Sequence, residues 1–299
     1  MQATFDNGKN SCKYIIDNER YIVESKIEEG ISTFGEETLK FEGKNYIIGD
    51  EASDYNYTFT KNNLHHKLMI YYCLARHARE NEKIDLIIGC PLSTYINKEE
   101  QDKYSKYIMN DGKPITVEYK GKEKTFTINS VVVAPENIGG YINDFNISKR
   151  QIRGVVDIGG LNINCGIYDK GKPVKDKMFT LNLGIHILIK NIQQAVLREK
   201  ENFINNYMCK HLLLNMHDLD EDLYKIFDIE CKKFVKLIKK SLIKNEWELE
   251  HLNMRFIGGG SIILEDYIEQ EFKKPYIEKD IFANCEAFRK FGARKNAKK

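Results

Sequence analysis

Two short stretches, half a chain apart, carry the residue types that phosphate and metal chemistry needs. Phe5-Asp6-Asn7-Gly8 is followed by a polar turn and an apolar strand from Cys12 to Ile16. Val156-Asp157-Ile158-Gly159-Gly160 is likewise followed by a strand from Ile163 to Tyr168. Each reads as a strand ending in Asp-x-Gly, a tight turn and a return strand, so the chain contains an internal repeat. Glycine has no Cβ, and a turn built on it lets backbone N–H groups approach an anion closely. An aspartate at each strand end can hold a magnesium ion through its waters beside phosphate oxygens. One such turn alone is an ordinary hairpin; two copies, one in each half of the chain, form a pattern.

Three further pieces suit the same chemistry. Gly258-Gly259-Gly260-Ser261 follows an apolar strand and precedes a helix, so backbone and a helix N-terminus can face a ribose and a phosphate. Val131-Val132-Val133-Ala134-Pro135-Glu136 places a carboxylate just after a buried strand, where Glu136 can orient or deprotonate an attacking water. The pair Gly139-Gly140 that follows permits close packing across a cleft. Lys13, on the return strand of the first turn, can reach a β- or γ-phosphate as a point charge.

The elements that must position these residues are legible in outline. Strands are expected at Ala3 to Phe5, Cys12 to Ile16, Arg20 to Val23, Thr38 to Phe41, Asn45 to Ile48, Ile84 to Gly89, Val117 to Tyr119, Thr125 to Ile128 and Val131 to Ala134. Glu42-Gly43-Lys44 and Lys120-Gly121-Lys122 are hairpin signals. The spacing predicts a helix over Leu64 to Arg79, with Leu64, Leu68, Tyr71, Tyr72 and Ala75 on one face. In the second half, strands at Gly154 to Asp157, Asn162 to Tyr168 and Met254 to Ile257 accompany helices at Leu183 to Glu199, Phe203 to Leu214 and Leu219 to Lys244. Asp218 can cap the last of these, and its apolar stripe runs Leu219, Leu223, Ile226, Phe227, Phe234, Leu237, Ile238 and Leu242. Lys232, Lys236, Lys239, Lys240 and Lys244 crowd its C-terminal end, as a solvated face or as a polymer or partner contact.

Composition bounds the class. The chain has 299 residues, 42% hydrophobic and 30% charged, the balance of a folded globular protein of two ordinary domains or one large one. Forty-six Lys+Arg against forty-four Asp+Glu give a formal charge of +2, which argues against direct nucleic-acid binding. Apolar stretches fall far short of the ~18–20 residues that span a bilayer, and the N-terminus lacks a signal-peptide pattern, so a cytoplasmic protein without membrane contact is expected. The seven cysteines, odd in number and without a CxxC, read as reduced core residues. Cys209, His211, His217 and Cys231 match no zinc spacing, and adjacent His65 and His66 do not make a chelating pair.

The order of the motifs resembles the actin/Hsp70/sugar-kinase ATPase superfamily: phosphate loop Phe5 to Lys13, connecting segment Ala134 to Tyr141, second phosphate loop Val156 to Asn164, adenosine loop Phe256 to Leu264, and Phe282 to Phe288 as a second connection. Within it the chain is most similar to the ParM-like bacterial and archaeal actins that segregate plasmids, through Tyr46-Ile47-Ile48-Gly49-Asp50-Glu51-Ala52, Ile88-Gly89-Cys90-Pro91-Leu92 and Pro135-Glu136-Asn137. The resemblance implies a bilobed α/β fold of two RNase H-like mixed-sheet domains flanking a nucleotide cleft. Domain I would be residues 1–150 joined by 282–299. Domain II would be 151–281, with a reduced fourth subdomain near 186–235.

The resemblance also implies roles. Asp6 and Asp157 would be the metal-side carboxylates, acting on Mg2+ through water. Asn7, Gly8, Lys9, Asn10 and Lys13 would contact ATP or GTP from one lobe, Gly159, Gly160 and Asn162 from the other, and Gly258, Gly259, Gly260 and Ser261 would take the nucleoside side. Glu136, with Asp157, would be catalytic, matching the carboxylate that ParM-like proteins carry where eukaryotic actins carry glutamine. The implied function is a filament-forming ATPase whose partners are copies of itself and a DNA-binding adaptor of the ParR type. A small-molecule kinase of the same superfamily and a nucleotide-regulated scaffold with little turnover are the alternatives. The chain departs from the family pattern at Leu161-Asn162-Ile163-Asn164, where hydroxyl residues and an acid are usual, and at Ala287, where glycine is usual.

Overall fold

The computed structural model describes residues 1–32, 38–53, 61–142, 152–170 and 172–296. The chain divides into two compact units, Met1–Asn143 with Phe282–Lys299, and Asp144–Ile281.

The first unit begins with strands β1 (Gln2–Asn7), β2 (Ser11–Ile16), β3 (Glu19–Glu24), β4 (Ile27–Glu29), β5 (Thr38–Phe41) and β6 (Lys44–Ile48). Helix α1 (Leu64–His77) leads to β7 (Glu82–Cys90), then α2 (Leu92–Ile96) and α3 (Lys98–Ile108). Strands β8 (Ile115–Tyr119) and β9 (Lys122–Pro135) and the short α4 (Gly139–Ile142) follow. The sheet order is β3-β2-β1-β7-β9-β8-β5-β6-β4, with β2 antiparallel to β1 and with β7 parallel to both β1 and β9. Both anticipated hairpins form with two-residue turns at positive φ, Glu42 (49°) with Gly43 (80°) and Lys120 (50°) with Gly121 (70°), whose twist suits antiparallel strands.

The structure corrects two expectations here. The strands expected at Thr125 to Ile128 and Val131 to Ala134 are one 14-residue strand, β9. Asn129 and Ser130 look like a break, yet they form a bulge opposite Ile84 and Asp85, and both side chains donate to the Asp85 carboxylate (3.1 and 2.5 Å). Helix α1 is buried over residues 66–75 and not on one face alone, while Leu64 is exposed, because the helix lies inside the unit's apolar cluster.

The second unit holds β10 (Arg153–Ile158), β11 (Ile163–Asp169), β12 (Lys172–Pro173) and β13 (Phe179–Leu181). Helices α5 (Ile185–Lys200), α6 (Asn206–Leu214) and α7 (Glu221–Lys244) come next, followed by β14 (Asn253–Ile257), α8 (Gly259–Ile263), α9 (Glu265–Glu271) and β15 (Tyr276–Ile277). Its sheet runs β12-β11-β10-β14-β15, with β10 antiparallel to β11 and parallel to β14. This repeats the first five positions of the other sheet, β3-β2-β1-β7-β9, so both units carry the RNase H type of mixed sheet. Helix α7 starts later than expected, and Asp220, not Asp218, caps it by accepting from the Leu223 N–H (2.8 Å), because Met216–Asp218 is spent in a 3-10 turn. Ile226, Phe227, Phe234, Ile238 and Leu242 face the core, whereas Leu237 is exposed. Helix α6 likewise starts at Asn206, capped by Asn205, and leaves Phe203 exposed.

Helix α10 (Ala283–Asn296) returns to the first unit. It lies so close to β7 that a Cβ on Gly89 would sit 2.6 Å from the Phe288 ring, and one on Gly292 would meet Ile87. The close packing that the Gly139-Gly140 pair permits is made by Gly139 against Ala283 and Asn284 of α10, and its N–H donates to Asn284 Oδ1 (3.2 Å). All seven cysteines are free and buried.

The close approach of β7 and α10 generates a test. Gly89→Ala should lower unfolding free energy by about 1–3 kcal/mol, the usual cost of overpacking. Phe288→Leu placed on that background should recover part of the loss in urea titrations, since it removes the ring atoms the new methyl would meet.

Candidate functional site

In the first unit, Asp6 pairs with Lys13 and Asn7 with Cys12, which leaves residues 8–11 as the turn. The Gly8 N–H donates to the Asp6 carbonyl (2.9 Å), and a Cβ on Gly8 would stand 2.7 Å from the Ser11 carbonyl oxygen, so only glycine fits. Ser25, buried on the chain just after β3, ties the turn down from behind. Its hydroxyl donates to the Gly8 carbonyl (2.6 Å) and its N–H to the Asn10 carbonyl (3.1 Å). Asn7 is buried and donates to the His66 carbonyl in the first turn of α1 (3.1 Å). Asp6 is buried, Lys9 and Lys13 are half-buried and Asn10 is exposed. The Lys13 carbonyl accepts from the Cys285 thiol of α10 (3.0 Å).

Glu136 stands at the end of β9 with its N–H donating to the Cys90 carbonyl (2.9 Å). The chain then turns at Asn137, which is buried at φ 65°, a left-handed conformation that asparagine tolerates better than most residues. The Glu136 carboxylate forms a buried ion pair with Lys61, whose side chain is 4% exposed. Burial by itself pulls the Lys61 ammonium down, but the charges of Glu136, Tyr104 and Asp6 outweigh it and hold the proton firmly. Lys9 belongs to the same cluster: burial lowers its pKa, the Glu136 carboxylate opposes that and the Lys61 ammonium adds to it. Burial, then Lys61, His65 and Lys9, hold the His66 imidazole far below its usual range, so it is neutral near pH 7. Among the described residues, Asn7 Oδ1, both ring nitrogens of His66 and the Tyr104 hydroxyl are buried without a hydrogen-bond partner. Buried polar atoms are ordinarily satisfied by protein, ligand or ordered water, so this cluster suits a polar ligand.

The second unit repeats the first turn in register. Asp157 pairs with Asn164 and Ile158 with Ile163, which leaves residues 159–162 as the turn. The Gly159 N–H donates to the Asn162 carbonyl (3.0 Å), and a Cβ on Gly159 would stand 2.9 Å from that oxygen, as Gly8 does from Ser11. Here the start of α5 ties the turn down: the N–H groups of Ile185 and His186 donate to the carbonyls of Gly159 (3.1 Å) and Gly160 (3.0 Å). Gly184 is required because a Cβ there would strike the Gly160 carbonyl. Asn162 donates to Asn164 Oδ1 (3.4 Å), which also accepts from Thr180 (2.8 Å).

The glycine triplet reaches the same place. Gly258 has φ 86°, and a Cβ on it would lie 2.5 Å from the Asp157 carboxylate and 2.7 Å from the Ile158 carbonyl. Gly260 packs on Ile158 and Ile185, whereas Gly259 faces open space. Ser261 is buried, and its hydroxyl donates to the Ile257 carbonyl (2.5 Å), which ties the start of α8 to the end of β14.

Sequence reasoning missed Lys61, Ser25, Tyr104 and the Gly184–His186 latch. Lys61 sits in the polar run Thr60-Lys61-Asn62-Asn63, which carries no periodic signal; Gly184 before an apolar helical pattern was the one available cue. The basic stripe on α7 is partly neutralised, because Lys232 pairs with Asp228 (2.7 Å) and Lys239 with Glu271 (3.1 Å), while Lys236, Lys240 and Lys244 are exposed. Among the described residues no helix is long and apolar enough to cross a membrane, and no group of three or more His, Cys, Asp or Glu could hold a metal ion.

Residues 4–139 match the family model of the actin-like proteins' N-terminal domain. No curated protein sequence matches the chain. Among solved structures the chain is similar to an archaeal actin homologue, at TM-score 0.83 and 18% identity over 98% of this chain and 99% of that one. The same archaeal protein in complex with ADP matches at TM-score 0.81 and 19% identity, with the same coverage. The Alp12 filament structure matches at TM-score 0.70 and 25% identity over 99% of this chain and 98% of that one. A 15-stranded ParM filament from Clostridium botulinum matches at TM-score 0.76 and 18% identity over 98% and 99%. Residues 4–139 are therefore an actin-like N-terminal domain, and the chain along its length has the fold of ParM and the archaeal actin homologue.

Proposed function

We propose that this chain is a nucleotide-dependent, filament-forming NTPase that moves plasmid or similar DNA cargo in the cytoplasm. The observation that carries this reading is the repeated turn: an aspartate one register step below a four-residue glycine turn, residues 8–11 and 159–162, in both units. In each copy two turn carbonyls are engaged from behind, by Ser25 or by Ile185 and His186, and the Gly8 and Gly159 amides close the turn on itself, so that phosphate oxygens are met by the turn amides that follow these glycines. The archaeal homologue solved with ADP supports a nucleotide ligand, and the Alp12 and ParM filaments support assembly.

The residues divide into roles. Asn7, Gly8, Lys9, Asn10 and Lys13 contact phosphates from the first unit, and Gly159, Gly160 and Asn162 from the second. Gly258, Gly259 and Gly260 back the nucleoside, with Ser261 holding that helix start in shape. Asp6 and Asp157 face Mg2+ through its waters, in keeping with an ion that prefers to retain its hydration and to lean on phosphate oxygens. When bound, the ion neutralises phosphate charge. Glu136 orients the attacking water and receives its proton. The nucleotide is ATP or GTP. Residues 1–150 with 282–299 and residues 151–281 are the two actin-like domains in this reading, the helices near 186–235 forming a reduced fourth subdomain. Head-to-tail contacts between copies are heterologous and therefore propagate into open filaments. An adaptor of the ParR type links the filament to DNA, which the near-neutral chain does not itself bind.

Three outcomes test this. Asp157→Ala should lose magnesium-dependent nucleotide affinity in calorimetry; binding as tight as the parent's would displace Asp157 from the site. Glu136→Ala should slow phosphate release by ~10²–10⁴-fold, the range for a positioned acid–base group, while assembly persists and filaments last longer. With magnesium and a non-hydrolysable triphosphate, the chain at micromolar concentration should sediment and show filaments by electron microscopy. A chain that binds the analogue yet stays monomeric across salt and protein concentration is a scaffold or a kinase, not a filament former.

A further inference from the structure

The geometry points to Lys61 as the residue that positions Glu136 for water attack, acting through the carboxylate and not on the nucleotide. This inference rests on the NTPase reading above. The backbone of Glu136 is already held, by its N–H on the Cys90 carbonyl and by the left-handed turn at Asn137. A glutamate side chain still has three torsions, and a carboxylate that must aim one oxygen at a water needs them fixed. Lys61 supplies that restraint with an ion pair to Glu136 Oε1.

Stability does not explain the pair. Taking a lysine and a glutamate out of water costs more than a surface pair returns, and an apolar pair of similar volume usually serves a core as well or better. The pair nevertheless lies at the end of β9 in one electrostatic cluster with Lys9 of the first turn, Asp6 and Tyr104. Such burial of matched charge beside a candidate ligand site is the signature of a functional arrangement. Nor is Lys61 placed to serve as a phosphate ligand. Its side chain is 4% exposed and engaged with Glu136, while Lys9 already stands on the turn itself and Lys13 on its return strand. The Tyr104 hydroxyl and the neutral His66 ring, both buried, lie within electrostatic reach of the Lys61 ammonium.

The test is a cycle of Lys61→Met, Lys61→Arg, Glu136→Gln and the Lys61→Met/Glu136→Gln double variant. Each is read by affinity for a non-hydrolysable triphosphate and by single-turnover phosphate release. Affinity should stay within about 2-fold of the parent throughout. Phosphate release should fall ~10–100-fold in Lys61→Met, recover most of that in Lys61→Arg, and fall no further in the double variant than in Glu136→Gln alone, because residues acting as a unit are not additive. Lys61→Met leaves a buried carboxylate unpaired and can unfold the chain; in that event Lys61→Arg, which keeps the charge, and the double variant, which removes both charges, decide. A tenfold loss of affinity in Lys61→Arg or in the double variant makes Lys61 a phosphate ligand and overturns the inference. So does a double variant slower than Glu136→Gln by the full Lys61→Met factor. A parent that turns over at the same rate as a folded Lys61→Met removes the inference alone, whereas a parent that binds the analogue and releases no phosphate removes the hydrolysis reading with it.

Discussion

A backbone turn that presents amide groups to an anion must first satisfy its own carbonyls, and that requirement organises both units. In one, Ser25 donates twice, from hydroxyl and amide, to the carbonyls of Gly8 and Asn10. In the other, the first two amides of α5 do the same for Gly159 and Gly160. A helix start normally leaves such amides without an intrahelical partner, so α5 needs the turn as much as the turn needs α5. The absence of a side-chain cap at Gly184 follows from that mutual satisfaction. Two different chemical solutions, a serine and a helix N-terminus, thus support the same four-residue loop on the same three-stranded frame.

The frame in turn dictates where the carboxylates stand. Asp6 and Asp157 each occupy the strand position one step before the last ladder pair, opposite Lys13 and Asn164. The neighbouring parallel strand differs between units. β7 runs on to Cys90 and is followed by Pro91, while β14 ends at Ile257 and gives way to glycines that approach the Asp157 carboxylate. The first unit therefore concentrates ionic side chains, with Lys9, Lys61 and Glu136 in one buried cluster. The second concentrates bare backbone, with Gly159, Gly160, Gly184, Gly258 and Gly260 in close packing.

Much of this was legible in the residues. The two Asp-x-Gly turns, the glycine triplet and the strand-end glutamate stand out because glycine and strand-end carboxylates leave local signals. The positions of most strands followed from apolar runs and turn residues, and the buried, reduced cysteines from their apolar neighbours. What escaped depends on contacts distant in sequence. Lys61 meets Glu136 across 75 positions and Ser25 meets Gly8 across 17, and neither partner has a local pattern that announces the other. Helix starts at α6 and α7 were misplaced by two or three residues because Asn205 and Asp220 compete with nearby Asp218 and an apolar Phe203 that lies exposed. The bulge at Asn129 was hidden for a similar reason: its polar residues are paired to Asp85 on another strand.

The path of the chain through the two units sets an order of synthesis. Helix α10 belongs to the first unit but follows the whole of the second in sequence. The ridge of β7 at Ile87 and Gly89 is shaped to receive Gly292 and Phe288, and until α10 emerges from the ribosome that apolar surface has no cover. A nascent chain can therefore complete the second unit first and hold the first open, with its largest sheet formed but one face unsealed.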